Sequence, residues 1–143
     1  MKVVIGCDHG AFQMKEALKE YLSEKEIEVL DVGTHSEDSV DYPEFSRKVC
    51  NAVLEGKGEK GIVLCGTGIG VSIAANKVKG IRCALCSEPY SAKMTRAHND
   101  ANILAMGARV VGIELAKMIV DTFLATEFEG GRHARRVNMI EPE

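Results

Sequence analysis

The sequence predicts an α/β fold of the doubly wound kind, a five-stranded parallel sheet between two layers of helices. Two observations predict it. Short apolar runs alternate with segments of helical periodicity, five times in succession. The runs are apolar at odd and even positions alike, so both faces of each strand must be covered, as in parallel sheets. A third observation concerns chemistry. Side chains able to bind or react collect just after the apolar runs, where ligands of such sheets sit.

Taken in order, Lys2–Cys7 is the first strand, and Ala11–Lys25 follows with Met14, Ala17, Leu18, Tyr21 and Leu22 at helical spacing. Glu28–Val32 gives the second strand, and residues 33–42 a polar, acidic loop. Pro43 suits the first turn of a helix, where its missing N–H is not needed. Phe45, Val49, Ala52 and Val53 form the apolar face of that helix, and Gly56-Lys57-Gly58 ends it. Gly61–Cys65 is the third strand, Gly70–Val78 a helix and Ile81–Cys86 the fourth strand. Pro89–His98 is again helical, and Asn102–Met106 is the fifth strand. A helix over Glu114–Leu124 is expected to bury Leu115, Ile119 and Phe123. No internal repeat, linker or low-complexity segment interrupts the pattern.

With 143 residues, 45% of them hydrophobic, the chain suits one domain with a substantial core. A net charge of -3 argues against a nucleic-acid partner. No apolar run approaches membrane-spanning length, and Met1-Lys2 leads straight into a strand, so neither a membrane span nor a signal peptide is expected. Cysteines at 7, 50, 65, 83 and 86 form no disulfide framework, which fits a reduced cytoplasmic protein. Cys83 and Cys86 are not read as a redox or metal pair. Residues three apart on a strand point to opposite faces.

The most informative stretch is Ile62–Gly70, IVLCGTGIG. A buried strand ends in a cysteine, breaks into alternate glycines and opens onto a helix. Glycines let the backbone approach a ligand, and the unpaired N–H groups of a first helical turn favour an anion. The spacing is not the dinucleotide fingerprint, which follows the first strand, and no Gly-Lys-Ser/Thr follows as in NTPase loops. A small phosphorylated ligand is favoured over a nucleotide. Asp8-His9, Asp41-Tyr42, Ser87-Glu88 and Gly107-Ala108-Arg109 also follow strands; His98-Asn99-Asp100 ends a helix. The tail Gly130–Arg136 concentrates positive charge that would suit a phosphate. Each feature also has a structural explanation. Asp8 can simply cap a helix, Cys65 can be a buried hydrophobe, and His98 can complement a helix dipole.

Together these segments resemble the type B ribose-5-phosphate isomerases, in the family that also contains galactose-6-phosphate isomerase subunits. The matching segments are Gly6-Cys7-Asp8-His9, Asp41-Tyr42-Pro43, Cys65–Lys77, Ile81–Gly112 and Glu129-Gly130-Gly131-Arg132-His133 with Arg136. The resemblance spans nearly the whole chain. It implies a Rossmann-like three-layer sandwich acting as a homodimer, in some members paired into tetramers. The active site would lie between subunits, with the C-terminal arm (about residues 129–143) reaching the partner.

The resemblance further implies a cofactor-independent, metal-free aldose–ketose isomerase of the pentose phosphate pathway, acting on ribose 5-phosphate and ribulose 5-phosphate through a cis-enediolate. His98 with Asp8 would open the furanose ring, His98 being favoured over His133. Cys65 would move the proton between C2 and C1, its place before a helix N-terminus favouring the anionic sulfur. The N–H groups of Gly66, Gly68, Ile69 and Gly70, with Asn99, would hold the enediolate oxygens, and Thr67 would relay a proton. His9, Arg109, Arg132 and Arg136 would grip the phosphate; Tyr42 and His133 would line the sugar pocket. Arg136 is preferred to Arg135 because the family places its second arginine four residues after the first. One family branch uses a glutamate after the glycine loop instead; here position 71 is Val and position 65 is Cys. Two other readings stand beside this one: a six-carbon sugar-phosphate isomerase, and a non-catalytic phosphosugar-binding module.

Overall fold

The computed structural model describes residues 1–141. The strands are β1 (Lys2–Cys7), β2 (Glu28–Asp31), β3 (Lys60–Cys65), β4 (Cys83–Leu85) and β5 (Ile103–Gly107). The helices are α1 (Phe12–Glu24), α2 (Tyr42–Leu54), α3 (Ile69–Ala75), α4 (Pro89–Asn99), α5 (Ile113–Ala125) and α6 (Arg132–Ile140), with a 3-10 turn at His9–Ala11 before α1. All five strands are parallel, in the order β2-β1-β3-β5-β4. From β1 the chain winds to β2 on one side, while β3 lies on the other. The crevice of such a sheet opens at that reversal, beyond the carboxyl ends of β1 and β3.

Strand periodicity sorts the core into two halves. Val3, Ile5, Cys7, Ile62, Leu64, Leu104 and Met106 face one layer, filled by Met14, Leu18 and Leu22 of α1, Ala92 of α4 and Ile119 and Phe123 of α5. Val4, Val63, Cys65, Ile103 and Ala105 face the other, filled by Val49 and Cys50 of α2 and Val71 and Ala75 of α3. The three-layer α/β fold read from the sequence is therefore the observed one. Cys86 packs in the first layer and Cys83 against the second, so their sulfurs do diverge.

Four details differ from expectation. Leu115 is exposed, and α5 buries Ala116, Ile119, Val120 and Phe123 instead; the 3.6-residue turn favours a neighbouring stripe over a strict four-residue step. β4 is only three residues long, because it is an edge strand paired on one side alone. α3 begins at Ile69 and stops at Ala75, three residues before the expected end. The basic tail is helical: His133 and Val137, one turn apart, give α6 a narrow buried stripe within a mostly charged surface. Residues 142 and 143 of the expected arm lie outside the described residues.

Among the described residues, one charged side chain is fully buried. Lys15 donates to Asp31 Oδ2 and to the Thr34 carbonyl, each at 2.6 Å, with Lys19 also 2.8 Å from Asp31. Burial alone would raise the Asp31 carboxyl, but bonds from Lys15, Lys19 and the Gly33 N–H hold it below the usual carboxylate range. This knot ties α1 to β2 and to the start of the loop that reaches the crevice.

Candidate active site

Cys65 is the last residue of β3 and is buried, its sulfur accepting the Gly68 N–H at 3.1 Å. Gly68 stands in the left-handed region, at φ 79, and a Cβ there would come within 2.7 Å of the Met106 carbonyl carbon. Only glycine lets the loop fold this tightly over the end of β5. Thr67 crosses above Gly107, and its hydroxyl accepts the Ile69 N–H at 3.2 Å. Two of the expected anion-holding N–H groups, Gly68 and Ile69, are thus occupied internally. Among the described residues, the N–H groups of Gly66, Thr67 and Gly70 have no such partner.

The neighbouring loops converge on this one. Asp8, following β1, caps the 3-10 turn by accepting the Gly10 N–H at 3.0 Å through Oδ1. His9 Nδ1 accepts the Val40 N–H at 3.2 Å, which leaves Nε2 to carry the ring proton outward as a donor. Arg109, following β5, donates its backbone N–H to the Gly66 carbonyl at 2.9 Å. Its guanidinium flanks both Gly66 and Gly10. Tyr42 opens α2 with its ring directly over Gly70, where a Cβ would lie 2.5 Å from the ring edge. A cleft of about 630 Å³ adjoins this rim, bounded by Val40–Glu44 and Arg47.

His98 and Asn99 are elsewhere. They end α4, whose 11 residues run about 16 Å from the carboxyl end of β4 toward the amino end of β5. Next to them, the Asn102 side chain and carbonyl bond Arg82 N–H and Gly61 N–H, before β4 and at the start of β3. Within one chain, then, His98 and Asp8 lie at opposite ends of the sheet, and the expected pair does not meet there. His98 instead stacks on His133, with ring centroids 4.2 Å apart and planes 9° from parallel. Glu129 Oε1 lies 3.8 Å from His98 Nε2 and 3.5 Å from His133 Nε2. Burial, then the charges of His98 and Arg132, push the His133 imidazole below its ordinary value. Arg132 and Arg136 are one turn apart on α6, exposed and on one face, with Arg135 off that line.

A second cavity, about 490 Å³, opens at this amino end between Asn76, Arg82, Cys83, Asn99 and Ile140. It contains no Cys65, Asp8 or His98, so the chemistry rather than the hollow marks the site. No helix of the described residues is long and apolar enough to cross a membrane. Glu129 beside the two histidines and the Val40 N–H behind His9 were not anticipated. Glu129 belonged to a matched motif, whereas a backbone donor 31 residues from His9 leaves no mark in a sequence.

The fold and these loops have close counterparts. The family model described as Ribose/Galactose Isomerase matches residues 3–140. Ribose-5-phosphate isomerase B of Escherichia coli K12 is 53% identical over 139 residues, covering 97% of this chain and 93% of that protein. A D-erythrulose-4-phosphate isomerase of Pectobacterium atrosepticum is 43% identical over 141 residues, 98% of this chain and 93% of that one. The structure of Clostridium thermocellum ribose-5-phosphate isomerase B superposes with a TM-score of 0.96 at 57% identity, over 98% of this chain and 95% of the other. With the Cys65 loop at the sheet reversal and the matched sequence running end to end, the chain belongs to the Ribose/Galactose Isomerase family of aldose–ketose isomerases.

Proposed function

We propose that the protein interconverts ribose 5-phosphate and ribulose 5-phosphate, in a site assembled from two copies of the chain. One observation carries the reading: each chain holds two incomplete half-sites at opposite ends of its sheet. Cys65, the glycine loop, Asp8, His9 and Arg109 form one. His98, Asn99, Arg132 and Arg136 form the other. In a two-fold dimer each end of one chain faces the other end of its partner, making two equivalent sites. Exposed apolar side chains near the crevice rim, Ile69, Ile73, Leu85, Tyr90 and Val110, support burial by a second copy.

The reaction then follows from proton bookkeeping. Asp8 and the partner's His98 open the furanose: one takes the proton from the C1 hydroxyl while the other returns one to the ring oxygen. The Cys65 sulfur, as thiolate, takes the C2 proton. The electron pair moves into a C1–C2 double bond, and the aldehyde oxygen becomes anionic. Open N–H groups in the Gly66–Gly70 loop, with the partner's Asn99, stabilise that oxygen, at about 3–4 kcal/mol per well-aimed donor. Thr67 passes the O2 proton to O1, and Cys65 returns its proton to C1, giving the ketose. His9 Nε2 and Arg109, with the partner's Arg132 and Arg136, hold the phosphate and so fix the reacting carbons against the sulfur. Tyr42 and the partner's His133 border the sugar.

Complementation tests both the activity and the shared site. Cys65→Ala and His98→Ala are each expected to be inactive on ribose 5-phosphate. After the two are unfolded together and refolded, half of the dimers are mixed and each carries one intact site, giving about a quarter of wild-type activity. Absence of turnover in wild type rejects the pentose-phosphate reading, with erythrulose 4-phosphate and allose 6-phosphate as the next substrates. No recovery in the mixture, with wild type active, rejects the shared site.

A further inference from the structure

We propose that Asp100 is a positioning residue of the isomerase: its carboxylate, held between Arg82 and Arg96, sets the last turn of α4 and so aims His98 and Asn99 at the partner. The assignment rests on the shared-site reading above and deepens it. Asp100 closes α4 at φ 50 and ψ 44, the left-handed conformation that helix ends ordinarily give to glycine. Its N–H donates to the Thr95 carbonyl, which completes the cap through the backbone alone. Glycine would make that cap with less strain. The side chain therefore serves something besides ending the helix.

Two arginines from different elements show what it serves. Arg96, buried in α4, donates through Nη1 to Asp100 Oδ1 at 2.9 Å and to the Ala101 carbonyl at 2.8 Å. Its Nε donates to the Thr126 carbonyl at 3.2 Å, and its guanidinium lies 5.9 Å from the centre of the Phe123 ring. Arg82, just before β4, donates through Nε to the Asn99 and Asp100 carbonyls, each at 3.1 Å, with Nη2 3.4 Å from Asp100 Oδ2. Arg82 also pairs with Glu141, and its N–H donates to Asn102 Oδ1 at 2.9 Å. Each carboxylate oxygen thus meets one guanidinium, and the turn is gripped from two directions by charge-assisted bonds. The last carbonyls of a helix lack intrahelical partners. Here Arg82 takes that of Asn99, and the Glu129 N–H takes that of Ala97 at 3.0 Å. His98 sits between those two fixed points. Removing the carboxylate leaves two guanidiniums facing each other across the turn, and their repulsion loosens the residues that carry His98 and Asn99.

Asp100→Gly and Asp100→Asn test the assignment, because both replacements accept the left-handed conformation and neither carries the charge. A residue that only ended the helix could be glycine without loss of turnover. A positioning residue should cost about tenfold to a hundredfold in kcat on ribose 5-phosphate, the scale of misplacing a reacting group. Arg96 keeps its bond to Thr126 in both variants, so Arg132 and Arg136 stay in place and KM should change little. Thermal melts check that each variant is folded, and Asp100→Asn carries the test if Asp100→Gly is not. Complementation then locates the effect. Refolded with Cys65→Ala, either variant should recover about a quarter of wild-type activity; with His98→Ala it should gain nothing over its own residual rate. A readout independent of turnover comes from the His98 ring protons, assigned by their absence in His98→Ala. Stacking on His133 shifts them upfield in the proton NMR spectrum, and that shift should be lost in both variants. Wild-type kcat, or a retained ring shift, in the folded variants overturns the positioning role. So does a lack of recovery with Cys65→Ala where the Cys65→Ala and His98→Ala pair recovers. If that reference pair fails, or wild type turns over no pentose phosphate, the functional reading fails and the ring shift still decides whether Asp100 holds His98.

Discussion

At the scale of single residues, Gly68 does the most to shape the site. Its N–H holds the Cys65 sulfur, and its φ of 79 and the nearness of Met106 leave no room for a side chain. Gly68→Ala should therefore lower kcat by about a hundredfold or more, the scale of losing an aligned donor. KM should change little, because the proposed phosphate contacts are untouched; steady-state kinetics with ribose 5-phosphate checks both. The glycine spacing made this loop legible from sequence, as did the Cys65 position. The Lys15–Asp31 pair was not, because a lysine at a helical position reads as solvated. Asp31 is held below its ordinary value, so its contribution to stability is present above about pH 3.8 and is lost as pH falls through the folded value. Lys15→Met leaves the buried Asp31 with only Lys19 and the Gly33 N–H, and should cost about 3–5 kcal/mol at neutral pH. Its Asp31 pKa rises, so the Asp31 contribution should fade at a higher pH than in wild type. Urea melts between pH 3 and 7 check both expectations.

At the scale of elements, what the sequence made legible follows from packing. α1 and α2 repeat their apolar residues often enough to be read directly, and their ends are marked by turn residues and by Pro43. α6 escaped notice because Arg132, Arg135 and Arg136 dominate it and its buried stripe is only His133 and Val137. So thin an attachment makes α6 separable from the rest of the fold. Val137→Asp puts an unpaired charge in that contact. It should release α6, costing at least tenfold in kcat/KM through the loss of Arg132, Arg136 and the ordered His133, while Tm falls by less than about 10 °C. Activity assays beside thermal melts followed by circular dichroism separate the two effects. A collapse of Tm would show α6 to be part of the folding core.

At the scale of the molecule, the sequence places His98 at the end of a helix just before the fifth strand, where α4 does end. The family resemblance puts it in the same chemistry as Asp8, and the topology shows that α4 carries it to the far end of the sheet. With the shared site proposed above, that separation would make activity a property of two chains rather than one, with a consequence for concentration. Ile73 lies 57% exposed on α3, one turn beyond Ile69. Ile73→Glu sets like charges against each other across a two-fold interface and should shift the chain toward monomers. Each monomer would keep Cys65, Asp8 and His98 in place and yet be inactive. Specific activity should then rise with protein concentration, in step with the dimer fraction from sedimentation velocity, because mass action couples the two. Wild type should show the same coupling at far lower concentration. A fully monomeric variant with wild-type turnover would place the whole reaction within one chain, and α4 would then have to leave its position in the sheet layers to deliver His98.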